Sequence, residues 1–92
     1  MVRLVISPSA KNDIAQILKN VGEYTGSSVT VSKLRNEFLD KFEHISYFPR
    51  SYKLLDDGTR QAFCRRYRII YKETENGEIQ IITVIHSLRK YP

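Results

Sequence analysis

The chain has 92 residues, and its hydrophobic fraction of 41%, with six Tyr and four Phe, excludes disorder and allows a single domain with one core. A lone cysteine, Cys64, excludes a disulfide framework and a cysteine-based zinc site and fits a reducing cytoplasm, and no apolar run approaches the roughly 18 residues that span a bilayer. Fifteen Lys and Arg against ten Asp and Glu leave a formal charge of +5, which points to an anionic partner: nucleic acid, a ribosomal surface or an acidic protein segment.

In chain order, Val2 to Ile6 is a short β-branched run that predicts a first strand. Ser7-Pro8-Ser9 ends it and opens a helix, with serine as N-cap acceptor and proline where its missing N–H costs nothing. Ala10, Ile14, Ile17, Leu18 and Val21 form one apolar stripe, and Gly22 and Gly26 bracket the exit around Tyr24. A second helix is expected from the cluster Gly26-Ser27-Ser28 to near Phe48, where Pro49 blocks its continuation. Its stripe is Val31, Leu34, Phe38, Phe42 and Ile45, while Lys33, Arg35, Glu37, Asp40, Lys41 and Glu43 take the wet face. With a connection of about five residues, the two helices form an antiparallel hairpin whose apolar side needs a sheet to cover it.

Arg50 to Asp57 is a connection with an extended piece at Tyr52 to Leu55, followed by the turn signal Asp56-Asp57-Gly58. Three strands then occupy Thr59 to Pro92. The turn between the first two falls near Cys64-Arg65-Arg66-Tyr67, with its register open. In the second strand Tyr67, Ile69 and Tyr71 alternate with Arg68, Ile70 and Lys72. Asn76-Gly77 predicts a type I′ hairpin turn, since both residues tolerate positive φ. The last strand, Ile79 to His86, is apolar on both faces, with Ile79, Ile81 and Ile85 on one and Ile82 and Val84 on the other. The expected fold class is α+β in two layers: an N-terminal strand, an α-helical hairpin, then a three- to four-stranded antiparallel sheet.

No Gly-rich phosphate loop, His-x-x-x-His pair or nucleophile elbow occurs, and nothing asks for a metal or a cofactor. Cys64 beside Arg65 has a cationic neighbour that lowers a thiol pKa, but without a base partner a strand cysteine reads as a packing residue. His44 reads as a surface residue. His86 opens the tail His86-Ser87-Leu88-Arg89-Lys90-Tyr91-Pro92, either as an acid–base group beside cations or as a ring that caps the strand end. Between Arg60 and Lys90 the only acids are Glu73, Glu75 and Glu78, so Arg60, Arg65, Arg66, Arg68, Arg89 and Lys90 are the candidate target- or phosphate-binding residues. Edge-strand protection is the plainer use of such charges.

The strand leading into Ser7-Pro8-Ser9-Ala10, the helix ending at Phe48-Pro49, and Gly58-Thr59-Arg60 resemble one family along essentially the whole chain, as do Tyr67-Arg68-Ile69-Ile70-Tyr71 and Val84-Ile85-His86 leading to Arg89. That family is the RelE/ParE superfamily of type II toxin–antitoxin toxins, and the resemblance is greatest to its ParE-like branch. It implies a small basic toxin neutralised by a cognate acidic antitoxin, with Ile82 and Val84 as the surface an antitoxin would cover. ParE-like members imply inhibition of DNA gyrase without an enzymatic step. RelE-like members imply instead messenger cleavage on the ribosome, with Arg65, Arg68, His86 and Tyr91 as the catalytic set. Here Leu88 stands where many ParE-like tails carry the first arginine of His-x-Arg-Arg. The sequence also stops short of the C-terminal helix that holds a tyrosine in some RelE-like nucleases.

Overall fold

The computed structural model describes residues 2–91. Strand β1 (Leu4–Ile6) leads into helices α1 (Pro8–Thr25) and α2 (Ser28–Tyr47), followed by strands β2 (Lys53–Leu54), β3 (Arg60–Cys64), β4 (Tyr67–Glu73) and β5 (Ile79–His86). The helix ends follow local chemistry. Ser7 caps α1 by accepting from the Ala10 N–H, Ser27 caps α2 by accepting from the Thr30 N–H, and Gly26 closes α1 in the left-handed region at φ 65°. Only Gly26 and Ser27 separate the helices, fewer than the about five residues expected. The hairpin is tight because Gly22 lies against Val31, whose Cγ2 would stand 3.3 Å from a Cβ at that position.

The sheet has five strands in the order β1-β5-β4-β3-β2. It is mixed rather than antiparallel, because β1 runs parallel to β5 with Leu4 opposite Ile79 and Ile6 opposite Ile81. Both helices lie on one face. Their buried residues Ala10, Leu34, Phe38, Phe42 and Ile45 meet Ala62, Cys64, Ile69, Tyr71, Ile79, Ile81 and Val84 in one core. Tyr71 is fully buried there and donates its hydroxyl to the Pro49 carbonyl at 2.7 Å, and burial pushes its phenol up to about 12. Among the described residues no helix is long and apolar enough to cross a membrane.

Two turns differ in kind from expectation or settle an open register. Cys64 pairs with Tyr67, so Arg65 and Arg66 form the β3–β4 turn, and Arg65 takes a positive φ of 53°. In the β4–β5 loop, Thr74 accepts from the Gly77 N–H at 3.0 Å and donates its own N–H to Glu78 at 2.8 Å. Gly77 has φ 79°, while Asn76 is absent from the positive-φ residues. The loop is therefore the three-residue form, with glycine in the left-handed position, rather than the two-residue type I′ turn.

The larger correction concerns β5. Tyr67 to Ile70 pair with His86 to Thr83, but Tyr71 pairs with Ile81, which leaves Ile82 as an extra residue in a bulge. The bulge resets the alternation, so Val84 joins Ile79 and Ile81 in the helix-side core, and Ile85 pairs with Arg68 on the other face. Val84 is 2% exposed and offers no surface to an antitoxin, while Ile82 is half-buried. A bulge leaves ladder groups without partners, and α1 supplies them. Ser7 donates its hydroxyl to the Ile82 carbonyl at 2.9 Å. Asp13 accepts from the Thr83 hydroxyl at 2.6 Å and from the Val84 N–H at 3.1 Å. Replacing Asp13 with Ala is expected to cost about 1–3 kcal/mol, because it strands these donors. Urea unfolding checks this, and a cost under about 0.5 kcal/mol would mean that the bulge is held by other contacts.

Candidate functional site

The regular pairing of β3 with β4 decides which face Arg60 and Arg68 serve, and the bulge in β5 decides the face of His86. On the helix side, the β3–β4 turn and the end of β5 approach the tip of the helical hairpin across an open cleft of about 850 Å³. Val21, Leu34 and Tyr67 give it apolar lining. Tyr24 and Val29 stand at its rim, 94% and 77% exposed. Lys33, Arg65, Arg66 and His86 also line it, with no carboxylate among the lining residues. Exposed apolar side chains beside cations are the makings of a protein-binding surface.

Arg65 holds the turn. Arg65 is a non-glycine residue in the left-handed region, and its guanidinium grips Glu37 of α2 through Nε and Nη2, the latter at 2.8 Å from Oε1. This fork, with Arg65 donating, holds the Glu37 carboxyl below the usual carboxylate range. Lys33 and Arg66, by contrast, form no salt bridge among the described residues. His86 lies opposite Tyr67, edge-on to its ring at 5.8 Å, and its Nδ1 accepts the Leu88 N–H at 3.2 Å. That bond places the neutral ring's proton on Nε2 and makes the ring a cap on the strand end.

Arg68 lies on the other face of the sheet. It is half-buried, and it donates through Nη1 to Gln61 at 3.3 Å and through Nη2 to the Arg89 carbonyl. Its Nε is buried with no acceptor among the described residues. Arg68 and Tyr91 line a smaller cleft of about 300 Å³ together with Lys53, Leu54, Leu55, Asp56 and Asp57. Thr59 donates its hydroxyl and N–H to Asp57, which holds that carboxyl below its usual range and so ionised. Arg89 and Lys90 project from the tail, exposed. Arg60 is turned to the helix side, opposite Tyr71, and donates to the Tyr52 and Arg50 carbonyls at 2.8 and 3.4 Å.

The four residues expected of a messenger-cleaving site are thus divided. Arg65 and His86 line the helix-side cleft, and Arg68 and Tyr91 line the cleft on the opposite face. Cys64 is buried, and burial pushes its thiol up rather than down, with Glu37 adding to the effect, as befits a packing residue. His44 is exposed, but it shares a 2.6 Å hydrogen bond with the Tyr52 hydroxyl. Glu37 and Lys33 had no signal in the sequence beyond lying on a wet helix face. Among the described residues no group of three His, Cys, Asp or Glu side chains gathers to hold a metal ion.

The family model described as "ParE toxin of type II toxin-antitoxin system, parDE" matches residues 4–91. The chain belongs to this ParE toxin family. The chromosomal ParDE toxin–antitoxin system from P. aeruginosa holds a similar chain, with a TM-score of 0.80 at 14% identity. The match covers 94% of this chain and 96% of that one. The toxin–antitoxin complex RelBE2 from Mycobacterium tuberculosis holds another, with a TM-score of 0.55 at 21% identity over 92% and 96% of the two chains. Both likenesses are of fold. No curated protein matches the sequence.

The ParE-family chain carries a second exposed pair, Arg50 with Glu73, whose carboxyl is likewise held low by the arginine's hydrogen bond. Carboxyls depressed in the folded state stabilise it above the ordinary carboxylate range, and this is lost as the pH falls through the folded values. The melting temperature of the wild type is therefore expected to fall more steeply between about pH 5 and pH 3 than that of a Glu37→Gln/Glu73→Gln variant. The difference will be small, because solvent screens both pairs. Parallel slopes would show that neither pair contributes.

Proposed function

We propose that this ParE-family toxin acts in the cytoplasm as a binding inhibitor of DNA gyrase, and that a cognate acidic antitoxin neutralises it. The division of Arg65 and His86 from Arg68 and Tyr91 across the sheet supports a binder rather than a nuclease. Cleaving a phosphodiester needs a proton acceptor, a proton donor and cations within hydrogen-bond reach of one phosphate. Side chains on opposite faces of a sheet do not converge on one atom. The cleft that pairs Arg68 with Tyr91 also carries Asp56 and Asp57, whose negative charge opposes a phosphate.

The antitoxin reading is supported by the helix-side cleft, where Lys33 and Arg66 flank apolar side chains suited to an acidic amphipathic segment. Family membership supports a toxin, and the ParE-like resemblance supports gyrase as its target. The test is ATP-dependent supercoiling by purified gyrase with increasing toxin. Inhibition is expected to saturate in proportion to the gyrase present, as for a binder. Undiminished supercoiling at large molar excess would overturn the gyrase reading. Messenger cleavage on translating ribosomes would then favour the RelE-like alternative.

A further inference from the structure

The residues after β5 do not leave the domain. The Ser87 N–H donates to the Arg66 carbonyl at 2.6 Å, and the Arg89 N–H to the His86 carbonyl at 2.9 Å. These bonds turn the tail onto the sheet face away from the helices, where Arg68 meets it. Arg68 alternates with the core residues Tyr67 and Ile69, pairs with Phe63 and Ile85, and projects from the middle strand of that face. Its guanidinium spans two partners: the Gln61 side chain, which shares its face, and the Arg89 carbonyl. Nε has no acceptor, so only these two bonds fix the guanidinium among the described residues. Tyr91 lies beyond them, half-buried against the cleft that Arg68 shares with Lys53 and Leu54.

We propose that Arg68 is a positioning residue that latches the tail across the second face of the sheet, so that the Arg89 and Lys90 side chains are presented to the target while Arg68 itself does not touch it. The role in target binding rests on the gyrase reading above; the latch does not. Three features carry it. The bond from Arg68 to the tail is to a backbone carbonyl, so it constrains the path of the chain and leaves the tail side chains free. Arg89 and Lys90 are exposed and make no salt bridge among the described residues. Leu88, next in the tail, is 89% exposed, so burial of its side chain contributes nothing to holding the segment. A charged donor to a carbonyl is stronger than a neutral pair, which suits a segment with so little buried area. A cation pair already ordered before encounter loses less entropy on binding than one on a free tail.

The experiment compares the full-length wild type with Arg68→Gln, Arg89→Ala/Lys90→Ala, and the triple variant. Backbone ¹⁵N relaxation reads the tail. In the wild type, the amides of Leu88 to Tyr91 are expected to show order parameters near those of β5, about 0.85, and Arg68→Gln should lower them toward about 0.6 while β5 is unchanged. In the supercoiling assay, Arg68→Gln and the double variant should each raise the inhibitory concentration about tenfold, a loss of about 1.4 kcal/mol each. The triple variant should be no worse than the double one, because Arg68 acts only through the residues already removed. Unchanged tail order in Arg68→Gln overturns the latch. A triple variant that loses the product of the two factors overturns the positioning role, since Arg68 would then contribute independently. If the wild type does not inhibit gyrase, the functional reading fails, and the relaxation data alone decide the latch.

Discussion

The carboxylate of Asp13, held against the bulge of β5, is the contact on which the rest of this structure depends. It accepts from the Thr83 hydroxyl and the Val84 N–H, while Ser7 donates to the Ile82 carbonyl one residue earlier. Asp13 lies in the second turn of α1, and Ser7 is the residue that caps that helix. One junction therefore places α1 on the sheet, satisfies the groups the bulge would orphan, and sets the register of the last strand. A one-residue slip there would send Val84 out of the core and Ile85 into it.

That register places His86, and the alternation of β4 places Arg68. Tyr67 and His86 are paired on the helix side, where Arg65 and Arg66 of the adjoining turn face the exposed tip of the hairpin. Arg68 falls on the opposite face and engages the tail. A net charge of +5 becomes two surfaces of different character: an apolar cleft with a basic rim, and a sheet face crossed by a cationic strap. The arginines also differ in what occupies them. Arg65 is taken by Glu37 and Arg60 by backbone carbonyls, which leaves Arg66, Arg89 and Lys90 as the exposed cations of the original set without a salt bridge among the described residues.

Local chemistry was legible in the sequence. Ser7, Ser27 and Gly26 cap helices through contacts within a few residues, and the stripes from Ala10 to Val21 and from Val31 to Ile45 follow a fixed period. The alternation of Tyr67, Ile69 and Tyr71 with Arg68 and Ile70 was also legible, because β4 is regular in that stretch. What could not be read depends on distant partners. Val5 in β1 finds Gln80 across most of the chain, and the parallel pairing leaves no local mark. The strand from Ile79 to Ile85 is apolar at both parities, so nothing in it announces that Ile82 is the extra residue. The Glu37–Arg65 fork joins groups 28 residues apart, and Glu37 resembles its neighbours on a wet helix face. The Asn76-Gly77 pair permits both a two-residue and a three-residue loop, and the Thr74–Glu78 bond selects the longer.

The sheet separates Arg65 and His86 from Arg68 and Tyr91, and action by binding, as proposed above, requires that no nuclease site be assembled from them. Toeprinting of translating ribosomes, with purified toxin added to a defined messenger, tests this most directly. Action by binding predicts no new messenger ends in the decoding site at any toxin concentration. Cleavage there that is lost in both His86→Ala and Tyr91→Phe would contradict it, because two residues on opposite faces would then serve one reaction.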